Sequence, residues 1–180
     1  MKIIGKRIFI RNLNLKDQAD YFEYGKDPHV GPNAGWKPFP SMSIAGKVLS
    51  GVILKGETYA IVLKETKKLI GTISVYANTI RIYNKAKSLG FSLAYPYWNQ
   101  GYMTEAVGLM VKYCFKHLDC KILEVGHHVG NDASRRVILK CGFKYDGRIR
   151  AFKKLYDDRL IDADFYSLTK EEFEGGLKHE

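Results

Sequence analysis

The fold is decided by a stretch whose centre reads Tyr95-Pro96-Tyr97-Trp98-Asn99-Gln100-Gly101-Tyr102-Met103-Thr104-Glu105-Ala106. A β-rich segment from Ser88 leads into this stretch, and a long amphipathic helix leaves it at Thr104. A glycine-containing loop that opens a helix points backbone N–H groups outward at the positive end of the helix dipole. Because such a loop binds phosphate or pyrophosphate, the stretch predicts a site for a nucleotide-bearing cofactor.

The elements after this loop follow in a regular order up to Phe143. A strand is expected over 121–129, and a second helix over 131–141 with Val137 and Ile138 directed inward. Gly142 stands where a C-cap glycine ends a helix. The first helix carries an apolar stripe, which is typical of packing against a sheet. The stripe consists of Met103, Val107, Met110, Val111, Cys114 and Leu118.

The rest of the chain supplies shorter elements. The alternation of Ile8 and Ile10 predicts a strand over 7–11, and Asn14 or Asp17 can cap a helix that Asp27-Pro28 closes. Three prolines and two glycines exclude regular structure from 31–40. Further expectations are a short helix over 43–49, strands over 58–63, 69–76, 88–94, 143–150 and 163–168, and a hairpin turn at 64–68. One domain over 1–170 and a C-terminal tail over 171–180 follow from this order.

Length and cysteine content narrow the class of protein. A chain of 180 residues can bury on the order of two-thirds of its unfolded surface in one domain. No apolar run approaches the roughly 18–20 residues that span a bilayer, so no membrane partner is expected. Cys114, Cys120 and Cys141 lack the spacing of a metal site, which predicts reduced thiols, no bound metal and a cytoplasmic protein.

The net charge of +10 allows two interpretations. It belongs either to a solvated, lysine-rich surface or to a positive field that attracts an anionic ligand or a nucleic acid. The basic residues are dispersed rather than run together, and no direct nucleic-acid site is identified. Charge alone therefore indicates anion binding and nothing more specific.

The order of these elements resembles the GNAT superfamily of acetyl-CoA-dependent N-acetyltransferases. The resemblance is narrower to the branch that acetylates the N-terminal alanine or serine of ribosomal proteins. Four segments carry it, and together they span nearly the whole chain. They are Arg7-Ile8-Phe9-Ile10-Arg11-Asn12-Leu13, Ala34-Gly35-Trp36-Lys37-Pro38-Phe39, Trp98-Asn99-Gln100-Gly101-Tyr102-Met103-Thr104-Glu105-Ala106, and Asn131-Asp132-Ala133-Ser134 through Lys140-Cys141-Gly142-Phe143.

This resemblance implies an α+β fold with a V-splayed mixed sheet of six or seven strands flanked by about four helices. Acetyl-CoA would lie in the splay between the fourth and fifth strands. By the same resemblance, Leu93, Ala94 and Tyr95 would lie beside the pantetheine amides, and Asn131 would contact the pantetheine arm. The pyrophosphate would be bound by the N–H groups of Gln100, Gly101, Tyr102, Met103 and Thr104. The adenosine 3′-phosphate would be bound by Lys140 with Arg135 or Arg136.

Two features of the sequence depart from the family's pattern, the loop and the place of the general acid. The loop pattern Gln/Arg-x-x-Gly-x-Gly/Ala has Trp98 in its first place and Met103 in its last. Met103 still supplies an N–H, so the loop should still bind the cofactor, with less room around the pyrophosphate. The Tyr that serves many members as general acid, seven residues after Asn131, is Ile138 here. Another group or solvent must therefore act as the acid.

Acetyl transfer from a thioester to an amine needs a deprotonated amine, a stabilised oxyanion and a protonated leaving thiolate. We expect direct attack in a ternary complex, with the N–H of Leu93 or Ala94 as the oxyanion donor. Ser134 is the acid candidate, because the alanine-acetyltransferase branch has a Ser at the matching place. Its alternative role is to satisfy a backbone N–H in the first turn of the helix.

The candidates for the base lie on the strand expected over 121–129. Glu124 and His128 share one face of that strand, and His127 lies on the other. An imidazole there could take a proton through water. The alternative interpretation is a solvent-facing carboxylate and a strand-end imidazole.

The loop over 31–40 must lie at the surface, yet it carries Trp36 and Phe39. The family resemblance implies that these rings form a wall over the acceptor substrate. Alternatively, burial of the rings anchors the loop. His29 and His117 are interpreted as surface or helix-end residues.

Three functions stay open. The first is acetylation of the N-terminal α-amine of a protein or peptide, with a ribosomal protein as the implied partner. The second is acetylation of a small amine such as a polyamine, an amino sugar or an antibiotic, although a polycationic substrate would need an acidic pocket. The third is a non-catalytic acetyl-CoA-binding or RNA-associated module. The acceptor and the oligomeric state are left open by the sequence.

Overall fold

A computed structural model describes residues 1–78, 80–81 and 83–176 of the chain. Its eight strands are hydrogen-bonded in the order β1-β2-β3-β4-β5-β6-β8-β7. They are β1 (Lys2–Ile4), β2 (Ile8–Asn12), β3 (Thr58–Leu63), β4 (Leu69–Ala77), β5 (Ala86–Leu93), β6 (Ile122–His128), β7 (Lys144–Lys154) and β8 (Leu160–Thr169). The α-helices are α1 (Gln18–Gly25), α2 (Gly31–Ala34), α3 (Met42–Lys55), α4 (Tyr102–His117), α5 (Asp132–Lys140) and α6 (Lys170–Gly176).

The expected α+β architecture is confirmed, with more elements than the sequence predicts. The described residues form eight strands instead of six or seven, and six α-helices instead of about four. Residue contacts divide the chain into two compact units, Met1–Ser74 with Phe91–Ala106 and Val75–Gly90 with Val107–Glu180. The single domain over 1–170 remains a prediction.

The first unit contains an antiparallel run of strands from β1 to β4. Ile8 and Ile10 of β2 are fully buried, as their alternation predicts. A buried cluster joins α1 and α3 to these strands. Its members are Leu13, Tyr21, Tyr24, Val30, Ala45, Leu49, Ala60, Val62, Leu69 and Ala94. This cluster fixes α1 against the start of β4 and the end of β5.

The second unit contains the parallel pair of β5 with β6 and the antiparallel pairs of β8 with β6 and β7. Registered pairing of β5 with β6 runs from Ala86–Ile122 to Leu89–Val125, although β6 continues to His128. On α4, four residues of the predicted stripe within this unit are buried, namely Val107, Met110, Val111 and Cys114. Leu118 is the exception, because it lies beyond the end of α4 and is exposed.

The caps of α5 agree with the sequence. Asn131 is the N-cap, and its side chain accepts a hydrogen bond from the N–H of Ser134. Gly142 follows the C-cap with a φ of 85°, a conformation that a glycine adopts without strain. Ile138 is fully buried, whereas Val137 is only half-buried. The Ile138 position is therefore part of the core of this unit.

Several predicted boundaries are wrong. The predicted short helix over 43–49 is the 14-residue α3, which ends where Gly56 adopts a φ of 68°. Residues 31–40 hold one helical turn, α2, because Pro32 is tolerated at the start of a helix and Gly35 ends it. The edge strand β1 was not predicted from the pattern. At the C-terminus, α6 occupies the first part of the predicted tail over 171–180, and the tail's last four residues lie outside the described part of the chain.

None of the described helices combines the length and the apolar character that crossing a membrane requires.

Candidate functional site

The loop between β5 and α4 has the backbone geometry of an anion site. A 3-10 turn over Tyr95–Tyr97 follows β5, and Asn99 and Gly101 then adopt left-handed φ angles of 59° and 80°. Within α4, the N–H of Glu105 donates to the carbonyl of Gly101 over 3.0 Å. The earlier N–H groups of Tyr102 and Met103 have no acceptor inside the helix. They therefore lie at the positive end of the helix dipole, where an anion is stabilised.

Arg7, just before β2, holds this loop in place. Its Nη1 donates to the carbonyl of Gln100 over 2.8 Å, and its Nε donates to the Glu105 carboxylate over 3.0 Å. Its guanidinium also lies 4.3 Å from the ring centroid of Tyr102. A Cβ added at Gly101 would meet Arg7 Nη2 at 3.4 Å. The positive charge of Arg7 thus lies beside the loop, and no sequence pattern indicated this role.

Glu105 completes the contact from the helix side. Its Oε1 accepts the backbone N–H groups of Arg7 over 2.8 Å and Ile8 over 3.4 Å. Burial acts to raise the pKa of Glu105, but the hydrogen bonds from Arg7 and Ile8 outweigh it and hold the pKa below its ordinary value. The charged carboxylate is therefore part of the folded loop.

The end of β5 is more fully hydrogen-bonded than the sequence predicts. The N–H of Ala94 donates to the carbonyl of Ile70 over 2.8 Å, so it would have to leave this bond to serve as the oxyanion donor, and the oxyanion role of Leu93 or Ala94 stays a prediction. The carbonyl of Leu93 accepts the indole N–H of Trp98 over 2.7 Å, and the carbonyl of Tyr95 accepts the Trp98 backbone N–H over 3.1 Å. Trp98 therefore closes the turn that precedes the loop. This contact explains a Trp in a place where the family pattern has Gln or Arg.

Glu124 lies in the second unit. The interpretation of Glu124 as a solvent-facing carboxylate is wrong. Glu124 is only 2% exposed. Its carboxylate accepts hydrogen bonds from Arg81 Nη1 over 2.7 Å and from Ser88 Oγ over 3.2 Å. Arg81 also reaches Asp146 over 2.8 Å. A carboxylate held in this way would have to leave a buried ion pair before it could accept a proton.

His127 is also buried, and both of its ring nitrogens are engaged. Nδ1 lies 2.9 Å from the carbonyl of His128, and Nε2 lies 3.3 Å from the Tyr166 hydroxyl. Because a carbonyl only accepts, Nδ1 carries a proton, and in the neutral ring Nε2 accepts from Tyr166. The neighbouring His128 is half-buried. Burial, followed by the charges of Lys153 and His127, lowers the pKa of His128.

The remaining predicted residues of the second unit lie on α5. The Oδ1 of Asn131 accepts the N–H of Ser134 over 3.1 Å, so this side chain caps the helix that it opens. Ser134 lies in the first turn and is half-buried. Arg136 and Lys140 are exposed on the same helix. The cofactor roles of Asn131, Arg136 and Lys140 stay predictions.

The rings of Trp36 and Phe39 pack against α1. Trp36 Nε1 donates to the carbonyl of Gly25 over 3.4 Å, and its ring meets that of Tyr24 edge to face. Phe39 stacks on Tyr21 at 5.6 Å, and a Cβ at Gly25 would approach the Phe39 ring to 2.3 Å. These contacts support the anchoring interpretation, and the substrate wall stays a prediction.

A cavity of about 550 Å³ opens within the first unit, between α1 and the turn after β5. Three carboxylates, two lysines and a histidine contribute to its lining, together with aromatic rings. The lining residues are Asp20, Glu23, Tyr24, Lys26, Asp27, Pro28, His29, Lys68, Leu69, Ala94, Tyr95, Pro96 and Tyr97. The sequence did not single out this cavity. Among the residues that the structure describes, no three His, Cys, Asp or Glu side chains are grouped to hold a metal ion.

Comparison with known proteins connects this arrangement to a family. Residues 7–144 match the acetyltransferase (GNAT) domain. The chain is similar to the uncharacterized N-acetyltransferase p20 of Bacillus licheniformis, with 29% identity over 175 residues, 94% of this chain and 97% of the relative.

Two solved structures show the same architecture. A GNAT-family acetyltransferase from Bacillus anthracis superposes with a TM-score of 0.85 at 22% identity, over 95% of this chain and 99% of that chain. Ribosomal-protein-S5-alanine acetyltransferase from Vibrio fischeri superposes with a TM-score of 0.76 at 20% identity, over 95% of this chain and 97% of that chain. At these identities the two structures establish a shared fold and leave the substrate undetermined.

Proposed function

The chain belongs to the GNAT acetyltransferase family, and we propose that it transfers the acetyl group of acetyl-CoA to the N-terminal α-amine of a protein or peptide. Its class, N-acetyltransferase, follows from the family and from the named relatives. The cosubstrate and the acceptor are the parts that this proposal adds. A non-catalytic binding module is not retained, because the matched relatives are named as enzymes.

The observation that supports acetyl-CoA is the loop held by Arg7. A pyrophosphate needs N–H donors, a positive field and room for close approach. The loop supplies the first through Tyr102 and Met103, the second through the dipole of α4 together with Arg7, whose charge is partly offset by Glu105, and the third through Gly101. We expect the N–H groups of Gln100 and Thr104 to complete this set. When bound, the cosubstrate supplies an acetyl group activated as a thioester.

Further cofactor contacts are proposed from the family resemblance. Leu93 and Tyr95 would lie beside the pantetheine amides, where the carbonyl of Leu93 keeps a second lone pair besides the one used by Trp98. Asn131 would use its amide N–H₂, because its oxygen caps α5. Arg136 and Lys140 would bind the adenosine 3′-phosphate.

The α-amine specificity rests on likeness to the alanine acetyltransferase of Vibrio fischeri and on the segments quoted above. A ribosomal protein as acceptor, and a cytoplasmic location, belong to the same proposal. Ser134 is proposed as the acid. Glu124 and His127 are weaker candidates for the base, because Arg81 and Tyr166 already occupy their proton-accepting atoms.

One observation favours the small-amine alternative. Three carboxylates line the cavity of the first unit in a chain whose net charge is +10. Two lysines also line the cavity, and the excess of one carboxylate favours an ammonium group irrespective of the molecule that carries it. Acetylation of a polyamine or an amino sugar is therefore the second candidate function.

The test is CoA release from acetyl-CoA with a panel of acceptors. The panel contains peptides with free Ala, Ser and Met N-termini, an N-blocked peptide with an internal Lys, spermidine and an aminoglycoside. Turnover on free N-termini that disappears on blocking supports the α-amine. Turnover confined to spermidine or the aminoglycoside replaces it with the small-amine function. Bound acetyl-CoA with no turnover on any amine overturns both proposals.

A further inference from the structure

We propose that His29, oriented by Asp27, accepts the proton of the acceptor ammonium, and that the cavity beside α1 holds this ammonium. The inference rests on the proposed function, to which it adds the base and the acceptor site. The sequence offered no reason to select His29, which reads as a surface residue. The contacts of His29 with Asp27 and Tyr95 form only in the folded first unit.

Asp27 fixes the ring and the proton of His29. Asp27 Oδ1 accepts the backbone N–H of His29 over 2.8 Å and lies 2.9 Å from His29 Nδ1. A carboxylate only accepts, so Nδ1 carries the ring proton that it donates. In the neutral ring, Nε2 therefore keeps its lone pair.

A second contact fixes the plane of the ring. The imidazole stacks on the ring of Tyr95 with centroids 4.2 Å apart and planes inclined by 12°. Tyr95 follows Ala94 at the end of β5, where the proposed cofactor contacts begin. His29 and Tyr95 both line the cavity, so the ring is held at its wall by two elements that are far apart in sequence.

The charges of the cavity suit an ammonium group. Asp20, Glu23 and Asp27 recur at a spacing of three and four residues, which places them along one side of α1 and its end. Lys26 and Lys68 are the two lysines of the lining, and Lys68 donates to Glu23 over 2.8 Å. Carboxylates thus outnumber lysines around the cavity, and the amine arrives in its charged form. A base at the wall is then needed before the amine can attack.

His29 meets the requirements of a base that Glu124 and His127 do not. Those two side chains are buried, and their proton-accepting atoms are engaged. The His29 side chain is 58% exposed, so the proton that it takes can pass to water. In the step, one proton moves from the substrate R–NH₃⁺ to Nε2. The products are R–NH₂ with its lone pair and an imidazolium paired with Asp27.

The experiment compares His29→Gln with His117→Gln in the full chain. His117 is a matched control, because its ring also lies against a tyrosine, Tyr113, at 5.3 Å, and it does not line the cavity. We expect His29→Gln to lower kcat by about 10²-fold, as loss of a general base does. The KM for acetyl-CoA and the thermal midpoint should stay at the wild-type values. His117→Gln should leave all three unchanged.

The pH profile separates a base from a structural residue. The titratable groups around the His29 ring are Asp27, Tyr95 and the cavity residues Asp20, Glu23, Lys26, Lys68 and Tyr97. A base acts only while it is unprotonated, so kcat/KM of the wild type should have an acidic limb. His29→Gln should abolish that limb.

The outcomes are distinct. A wild type that acetylates an amine while His29→Gln has the same kcat and the same pH profile overturns this inference and leaves the proposed function intact. A wild type that acetylates no amine overturns both. Loss of kcat in His29→Gln with an unchanged pH limb assigns His29 a structural role and also overturns the inference.

Discussion

At the scale of single residues, the contact between Arg7 and Glu105 joins two parts of the chain that are 98 positions apart. The guanidinium forms a fork that a lysine cannot reproduce, since one group bonds a carbonyl, a carboxylate and a ring face. The Arg7 side chain is 41% exposed, whereas the Glu105 side chain is 15% exposed. The contact between Arg7 and Glu105 therefore contributes by fixing the geometry of the loop more than by the strength of a partly exposed ion pair.

Replacement of Arg7 should weaken CoA binding. We expect Arg7→Ala to raise the Kd for CoA about tenfold, equivalent to about 1.4 kcal/mol, and Arg7→Lys to recover only part of it. Calorimetric titration with CoA measures both. Arg11→Ala is the matched control. Arg11 lies on β2 and also pairs with a carboxylate, that of Asp17, over 2.6 Å. If both alanine variants bind CoA equally well, the loop does not depend on Arg7.

The carboxylate of Glu105 should contribute stability that depends on pH. The pKa of Glu105 is lowered in the folded chain, so its contribution is present above the ordinary value of 4.5 and is lost as pH falls through the folded value. We expect Glu105→Gln to lower the free energy of unfolding by about 1–3 kcal/mol at pH 7. Urea unfolding at pH 7 and pH 3 measures this. The gap between variant and wild type should narrow at pH 3, and a constant gap contradicts the assignment.

At the scale of elements, β4 and β5 approach each other closely at Gly71. A Cβ at this position would lie 2.3 Å from the backbone oxygen of Ser92 and 3.0 Å from the Cα of Leu93. Backbone atoms cannot rotate away as a side chain can. The glycine therefore permits the close packing of the strand that ends at Leu93.

Gly71→Ala should destabilise the fold by about 1–3 kcal/mol through this clash. Gly108→Ala is the control, since a Cβ there meets no atom within 4 Å and the residue lies inside α4. We expect that variant to gain about 0.5–1 kcal/mol from helix propensity. Thermal or urea unfolding measures both changes. Equal midpoints for the two variants would show that the strands can separate at Gly71 without loss.

At the scale of the whole molecule, CoA should stabilise the folded chain by mass action. At a concentration of about 100 times Kd, the gain is about 2.7 kcal/mol, which corresponds to a rise in Tm of about 5–10 °C for a chain of this length. Dephospho-CoA should give a smaller rise if Arg136 and Lys140 bind the 3′-phosphate. Differential scanning fluorimetry compares the two ligands.

The double variant Arg136→Ala and Lys140→Ala should abolish the difference between CoA and dephospho-CoA. Eight basic residues and one acidic residue lie between Arg135 and Lys154, so a nonspecific effect of charge needs a control. Arg150→Ala, on the exposed β7, serves this purpose. A difference between the ligands that survives the double variant places the 3′-phosphate elsewhere.

The sequence by itself determined the elements whose signals are local. β3 occupies the predicted residues, β4 extends one residue past its prediction, and α5 begins after the cap Asn131 and ends before Gly142. The loop before α4 was recognised because Gly101 and the helix that follows are neighbours in the chain. Where local signals conflicted, as in residues 31–40 and at the end of α3, the boundaries were wrong.

Only the tertiary structure decided which side chains meet. Arg7 donates to the loop before α4, Arg81 donates to Glu124, and His29 stacks on Tyr95. The two members of each pair are far apart along the chain. A hydrogen bond or a ring contact depends on distance in space. The sequence indicates that distance for residues that are close along the chain, and it does not for residues that are far apart along the chain. Periodicity and capping act over a few residues, so they shaped the strands and helices. The hydrogen-bond partner of the buried Glu124 carboxylate and the ring that stacks on His29 were therefore set by folding.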